Sequence, residues 1–161
     1  MNVERWKFLP FLFVFSAPYR GQPPPLPCPS SDAIVLAVMD VTNLDSVPAF
    51  TTKDGSEIRE LLAYRNSDLR NQSLAEARVP VGGSTMEHYH AKSEEIYYIT
   101  HGTGRMRIEA ELRDVRVGDA VAIPPGKKHK LWNTGPEVLR LLCCCAPCYE
   151  HQDTMITEVD I

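Results

Sequence analysis

His88 and His90 stand at positions i and i+2, Glu94 and Glu95 follow within the same stretch, and His129 lies further along the chain. Side chains alternate across a strand, so in an extended segment the first two imidazoles point to one side. Neutral imidazoles combined with a carboxylate suit Zn, Fe, Mn, Ni or Cu better than Ca or Mg. A single divalent transition metal ion (Fe, Mn, Zn or Ni) is therefore the expected cofactor. The grouping carries this expectation, because an isolated histidine is more often structural or exposed than a ligand. His101 and His151 belong to no such group and read as solvated residues of a turn and the tail.

The residues around this set are patterned as well. Gly82, His88, His90, Glu95 and Gly102 fit G-x5-H-x-H-x3,4-E-x6-G, and Gly118, Pro124, Gly126, His129 and Asn133 fit G-x5-P-x-G-x2-H-x3-N. In both motifs and in their order the chain resembles the cupin superfamily, in its small single-domain form. The resemblance covers roughly residues 45–148. It implies an all-β double-stranded β-helix, or jelly-roll barrel, with one metal ion inside held by His88, His90, Glu95 and His129. Strand alternation does not choose between Glu94 and Glu95, since Glu95, Tyr97 and Ile99 share one apolar face and Glu94, Ile96 and Tyr98 the other. The family spacing of six residues to Gly102 selects Glu95. Tyr97 and Met86, on the faces of the ligands, are candidates to line the pocket, with core packing as the alternative. Glu76 and Arg78 share one face of their segment, as a solvated stripe or as polar groups of the pocket.

These residues need strands to hold them. Short β-like runs read at Glu57–Arg65, Ser73–Val81, His88–His90, Glu95–Thr100, Arg105–Ala110, Val115–Ile123 around a Gly118-Asp119 turn, His129–Asn133 and Val138–Cys145. Met155-Ile156 offers a last strand edge. Thr52-Lys53-Asp54-Gly55 reads as an Asp-Gly turn and Gly102-Thr103-Gly104 as another. Many short strands with Gly/Pro turns and no βαβ rhythm argue a sandwich or barrel. Residues 18–31 hold six prolines, so 1–32 reads as a disordered extension or linker and 33–161 as a single domain. Ile34–Val41 is a candidate first strand, and Met39 opens what looks like the ordinary start of a small cupin.

At 161 residues the chain suits one domain, and its net charge of −4 with scattered basic residues offers neither a nucleic-acid stripe nor a polybasic membrane patch. The pair Lys127-Lys128 reads as a solvated turn. No apolar run is long enough to span a membrane. Arg5 and Lys7 before Phe8–Phe15 resemble a leader, but Pro10 interrupts the run and Ser16-Ala17-Pro18 is a poor cleavage site, so a cytoplasmic location is expected. Five cysteines, three of them consecutive at Cys143–Cys145, cannot make a tidy disulfide framework. They read as small apolar residues of a reducing compartment, and Cys145-Ala146-Pro147-Cys148 as structural rather than redox-active.

Four protein ligands leave two positions open on a six-coordinate ion, as catalytic sites do. The expected function is an enzyme acting on a small polar molecule, with dioxygenase or sugar/keto-type isomerase chemistry implied by the resemblance. The alternative is a non-enzymatic cupin that binds a metal or small ligand; a purely structural jelly roll is weakened by the intact ligand set. A homodimer is expected, because Ile96 and Tyr98 give the far face of their strand more apolar surface than one barrel interior requires.

Overall fold

The structure, a computed structural model, describes residues 39–158. The proline-rich extension and most of the proposed Ile34–Val41 strand lie outside the described residues.

Alternation governs the strands. Along β5 (Glu94–His101) and β10 (Leu139–Ala146) every second side chain is buried, and the two pair antiparallel with Glu95 opposite Cys145 and Tyr97 opposite Cys143. A period of two with one face covered is what an antiparallel sheet needs to bury apolar groups on one side only. Around this pair β1 (Phe50–Thr51), β2 (Glu57–Leu62), β3 (Ser73–Val79) and β8 (Ala120–Ile123) complete a six-stranded sheet in the order β1-β2-β3-β10-β5-β8. The second sheet runs β11-β4-β9-β6-β7, from β4 (His88–His90), β6 (Thr103–Ile108), β7 (Glu111–Arg116), β9 (His129–Asn133) and β11 (Thr154–Ile156). Late strands β9 and β10 insert between early ones, so the chain closes a jelly-roll barrel. Its core joins Val79, Tyr97, Ile99, Leu139 and Leu141 of the first sheet to Met106, Val115 and Leu131 of the second. No helix among the described residues is long and apolar enough to cross a membrane.

Several element boundaries differ from those expected. The second strand ends at Leu62 rather than Arg65, because the Asn66 side chain accepts the Ala63 N–H (2.7 Å) and turns the chain. The third stops at Val79, where Pro80 has no N–H to continue the ladder. The expected Gly102-Thr103-Gly104 turn is confined to Gly102, whose φ of +80° is left-handed. Gly104 is inside β6 and serves packing: a Cβ there would meet the Trp132 carbonyl oxygen at 2.7 Å and Leu139 Cδ2 at 2.8 Å. Glu76 and Arg78 form neither a solvated stripe nor part of the pocket. Glu76 is 2% exposed on the outer face of β3, held by Arg78 (2.5 Å) and by Arg140 of β10 (2.5 Å). Burial alone would raise its pKa, and the two guanidinium groups more than reverse that. The four described cysteines are free thiols: Cys143 and Cys145 face inward, and Cys148 donates to the Gln72 carbonyl at 2.9 Å.

Candidate metal centre

Strand β4 sends His88 and His90 to the same side because they are two residues apart, and both are buried. Strand β9 pairs with β4 so that His129 stands directly opposite His88. Glu95 arrives from β5, in the other sheet. The site is thus a bridge across the barrel, with three imidazoles on one wall and a carboxylate on the facing one. One ligand atom from each of these residues lies within 4.8 Å of all the others, and all four residues are buried.

The ring nitrogens are oriented by their far sides. His88 Nδ1 is 2.8 Å from the Met86 carbonyl oxygen, and His129 Nδ1 is 2.9 Å from that of Lys127. A carbonyl only accepts, so each Nδ1 carries the proton and each Nε2 of a neutral ring presents a lone pair to the centre. His90 Nδ1 meets Thr154 Oγ1 at 3.3 Å, and that hydroxyl donates to the Glu150 carbonyl at 3.5 Å. Such outer partners fix the tautomers of metal-ligating histidines. Cys145 does the same for the carboxylate, its thiol donating to Glu95 Oε1 at 3.3 Å.

The other carboxylate oxygen supplies the test of fit. Glu95 Oε2 lies 3.2 Å from His90 Nε2 and 3.5 Å from His129 Nε2. Glu95 Oε2 and His129 Nε2 are both buried with no hydrogen-bond partner. Inward-facing lone pairs at this separation repel unless a cation lies between them, and a buried unpaired polar atom is costly. The donor set therefore fits a metal ion, and His88, His90, Glu95 and His129 could hold one. Without a metal a proton takes part of that place. Burial alone would lower the His90 pKa, but the Glu95 carboxylate raises it above the ordinary value. Burial would raise the Glu95 carboxyl, and the neighbouring imidazoles of His129 and His90 hold it down at about 2. Burial, then the neighbouring His129, lowers the pKa of His88.

The cluster opens on a cavity inside the barrel that is continuous with solvent at its mouth. Its wall is largely apolar, with Ile58, Val79, Leu131 and Leu141 among the lining residues. Tyr97 lines it too, its ring 5.9 Å from that of His129, and burial raises the phenol pKa well above its ordinary value. Met86 does not line the cavity. Thr85 and His88 do so in its place, and Met86 contributes its carbonyl to His88. Glu94 is exposed on the outer face of β5. His101 pairs with Glu137 at 2.9 Å on the surface, and His151 is exposed. The exposed Lys127 and Lys128 are not among the lining residues.

Asp54, Cys145 and Tyr149 are among the cavity residues that the sequence does not mark as part of a site. Asp54 was legible only as a turn residue, Cys145 only as one of a run of thiols, and Tyr149 only as the start of a polar tail. Nothing local to those segments signals that they meet the histidines.

Comparison with known proteins agrees with this architecture. A family model described as the cupin domain matches residues 75–145. An uncharacterized protein of Methanocaldococcus jannaschii, MJ1618, is 49% identical over 117 residues, covering 73% of this chain and 94% of the relative. Among solved structures, the polyketide cyclase RemF of Streptomyces resistomycificus superposes with a TM-score of 0.64 at 21% identity, over 76% of this chain and 88% of that one. The nucleoside dehydratase Pac13 of Streptomyces gives 0.61 at 16% identity, over 75% and 92%. At these identities the two structures speak for the fold alone.

Proposed function

The chain belongs to the cupin superfamily, and from that premise we propose that it is a metal-dependent enzyme acting on a small polar organic molecule, with one divalent transition metal ion (Fe, Mn, Zn or Ni) held by His88, His90, Glu95 and His129. The observation that carries this reading is the buried, unpartnered Glu95 Oε2 facing three Nε2 atoms beside a cavity of the barrel. When bound, the ion would supply Lewis acidity toward a carbonyl or hydroxyl of the substrate, or redox chemistry with dioxygen. The residues of the chain do the rest. Apolar walls exclude water, Cys145 and the Met86 and Lys127 carbonyls hold the ligands in place, and the protonated Tyr97 phenol can donate a hydrogen bond. A purely structural role has no use for a cavity beside the ligands, whereas a non-enzymatic cupin that binds a metal or small ligand would use one and differs in showing no turnover. The activities named for the similar structures, a cyclase and a nucleoside dehydratase, are likewise performed on small organic molecules.

The reaction type is tested after elemental analysis of protein purified without added metal. Oxygen uptake with Fe(II) in a substrate screen supports a dioxygenase, whereas anaerobic turnover with Zn or Mn supports an isomerase-type reaction. Absence of any bound transition metal, even after incubation with these ions, would sink the proposal. The free thiols at Cys143, Cys144, Cys145 and Cys148 fit a reducing compartment, so the cytoplasm is the proposed location.

The outer face of β5 is the proposed contact with a second copy. Ile96 and Tyr98 are 48% and 43% exposed there, next to the half-buried Leu142 and Cys144 of β10. A two-fold pairing would cover this patch with its own equivalent. Light scattering at micromolar concentration should return twice the chain mass. Tyr98→Glu should return a single chain mass with metal content unchanged, and a monomeric wild type refutes the contact.

A further inference from the structure

Asp54 is a buried carboxylate that the metal ligands do not use. It is 6% exposed and lines the cavity that also holds His88, His90 and Glu95. Among the described residues all hydrogen bonds to its side chain fall on one oxygen: Oδ1 accepts from Thr52 Oγ1 (2.5 Å), Ser56 Oγ (2.8 Å) and Ser56 N–H (3.2 Å). No described residue donates to Oδ2. The turn is also joined to the metal ligands, since the Asp54 carbonyl accepts the Met86 N–H at 2.6 Å and the Met86 carbonyl orients His88. The carboxylate is thus held rigidly, with one acceptor unused, on the wall of a cavity. Tyr149 lines the same cavity, its ring 5.9 Å from that of His90, and its hydroxyl is buried without a hydrogen-bond partner.

The charges of the lining narrow what such groups can bind. Asp54, Glu60 and Glu95 are carboxylates, and no Lys or Arg occurs among the described lining residues. Glu60 already pairs with Arg65 at 2.5 Å, which leaves Asp54 as a lining carboxylate with no cationic partner among the described lining residues. A carboxylate or phosphate group on a substrate would find no cation besides the metal and would face Asp54. A hydroxyl or ammonium group would find an acceptor.

We propose that Asp54 is a substrate-binding residue, its free Oδ2 accepting a hydrogen bond from a hydroxyl or ammonium group of a neutral or cationic small molecule, with the Tyr149 hydroxyl as a second contact. This rests on the metal-dependent activity proposed above and adds the substrate's charge class and its recognition. A purely structural Asp54 would act through Oδ1 alone, and asparagine keeps that acceptor while removing the charge. Asp54→Asn therefore separates the two roles.

The test uses the full-length protein loaded with zinc and three fluorinated probes of matched size, 4-fluorobenzyl alcohol, 4-fluorobenzylamine and 4-fluorobenzoate, titrated by fluorine NMR. Asp54→Asn should keep its zinc and its unfolding midpoint while losing at least about tenfold in affinity for the alcohol and the amine, with no loss for benzoate. Tyr149→Phe should weaken the alcohol by a smaller factor. The inference is overturned if Asp54→Asn leaves the alcohol and amine within about twofold of wild type, or weakens benzoate equally. It is also overturned if wild type binds neither donor probe, or if Asp54→Asn loses its zinc or its fold, which would assign the residue to its turn. A wild type that takes up none of Fe, Mn, Zn or Ni overturns the metal-centre reading and this inference with it, and one that takes up another of these ions but not zinc is titrated loaded with that ion. A loaded wild type indifferent to Asp54→Asn overturns this inference alone.

Discussion

His129→Ala is expected to bind its metal at least about a hundredfold more weakly than wild type, because losing even a group that merely orients a ligand costs about ten- to a hundredfold. His129 is fully buried, opposite His88 in register, and its Nε2 has no hydrogen-bond partner among the described residues. Alanine leaves the ion one donor short in a site that water reaches poorly. The readout is the stability gained on adding metal to metal-free protein. Each tenfold loss of affinity removes about 1.4 kcal/mol of that gain when metal is in excess. Removing the ring also opens a cavity and lowers the metal-free baseline by an amount that depends on how far the site collapses, so the increment rather than the midpoint is compared. His88→Ala should behave alike. Full metal content in either variant means that the ligand set is assigned wrongly.

Glu95→Gln should lose metal affinity to a similar extent, while Glu94→Gln should stay within about twofold of wild type, the range of an ordinary surface substitution. The two side chains are neighbours in sequence and opposites in space. Glu95 is buried with Oε2 toward the imidazoles, and Glu94 is exposed beyond the barrel wall. Glutamine keeps the shape of Glu95 and can still receive the Cys145 thiol, but it brings no charge to a buried cation. The pH dependence should carry the same signature. With its pKa held at about 2, Glu95 stays ionised throughout the mildly acidic range, so protons compete with metal at the imidazoles. His90, raised above its ordinary value by Glu95, is protonated early as the pH falls. Metal loading should thus decline as pH falls through the imidazole range, well before any carboxylate titrates. Retention of metal down to about pH 4, where only carboxylates change charge, would contradict this. The reverse ranking of the two glutamates would move the ligand by one residue.

Much of this molecule is legible in its sequence because the information is local or periodic. His88 and His90 share a side by alternation, and Gly102, Gly118 and Pro124 mark corners whose backbone requirements are written in residue type. The paired motifs resemble one family closely enough to imply the barrel and its ligand set together. Strand positions followed from period two, and the misplaced ends are those decided by single side chains, as where Asn66 captures the Ala63 N–H after β2.

Other features depended on which strands become neighbours, a long-range matter that no local pattern encodes. Gly104 reads as a turn residue until β9 and β10 close over it and leave no room for a Cβ. Glu76 and Arg78 read as a polar stripe until β10 brings Arg140 alongside and encloses the carboxylate. Asp54 reads as half of an Asp-Gly turn, and only the closed barrel places that turn against Met86 and makes Asp54 part of the wall of the histidines' cavity. The sequence by itself determined the candidate ligand types, their alternation and the corners between strands, since each is a property of a residue and its near neighbours. Tertiary structure alone decided which carboxylates share the histidines' cavity and which face solvent, since burial and charge pairing exist only once distant strands have met.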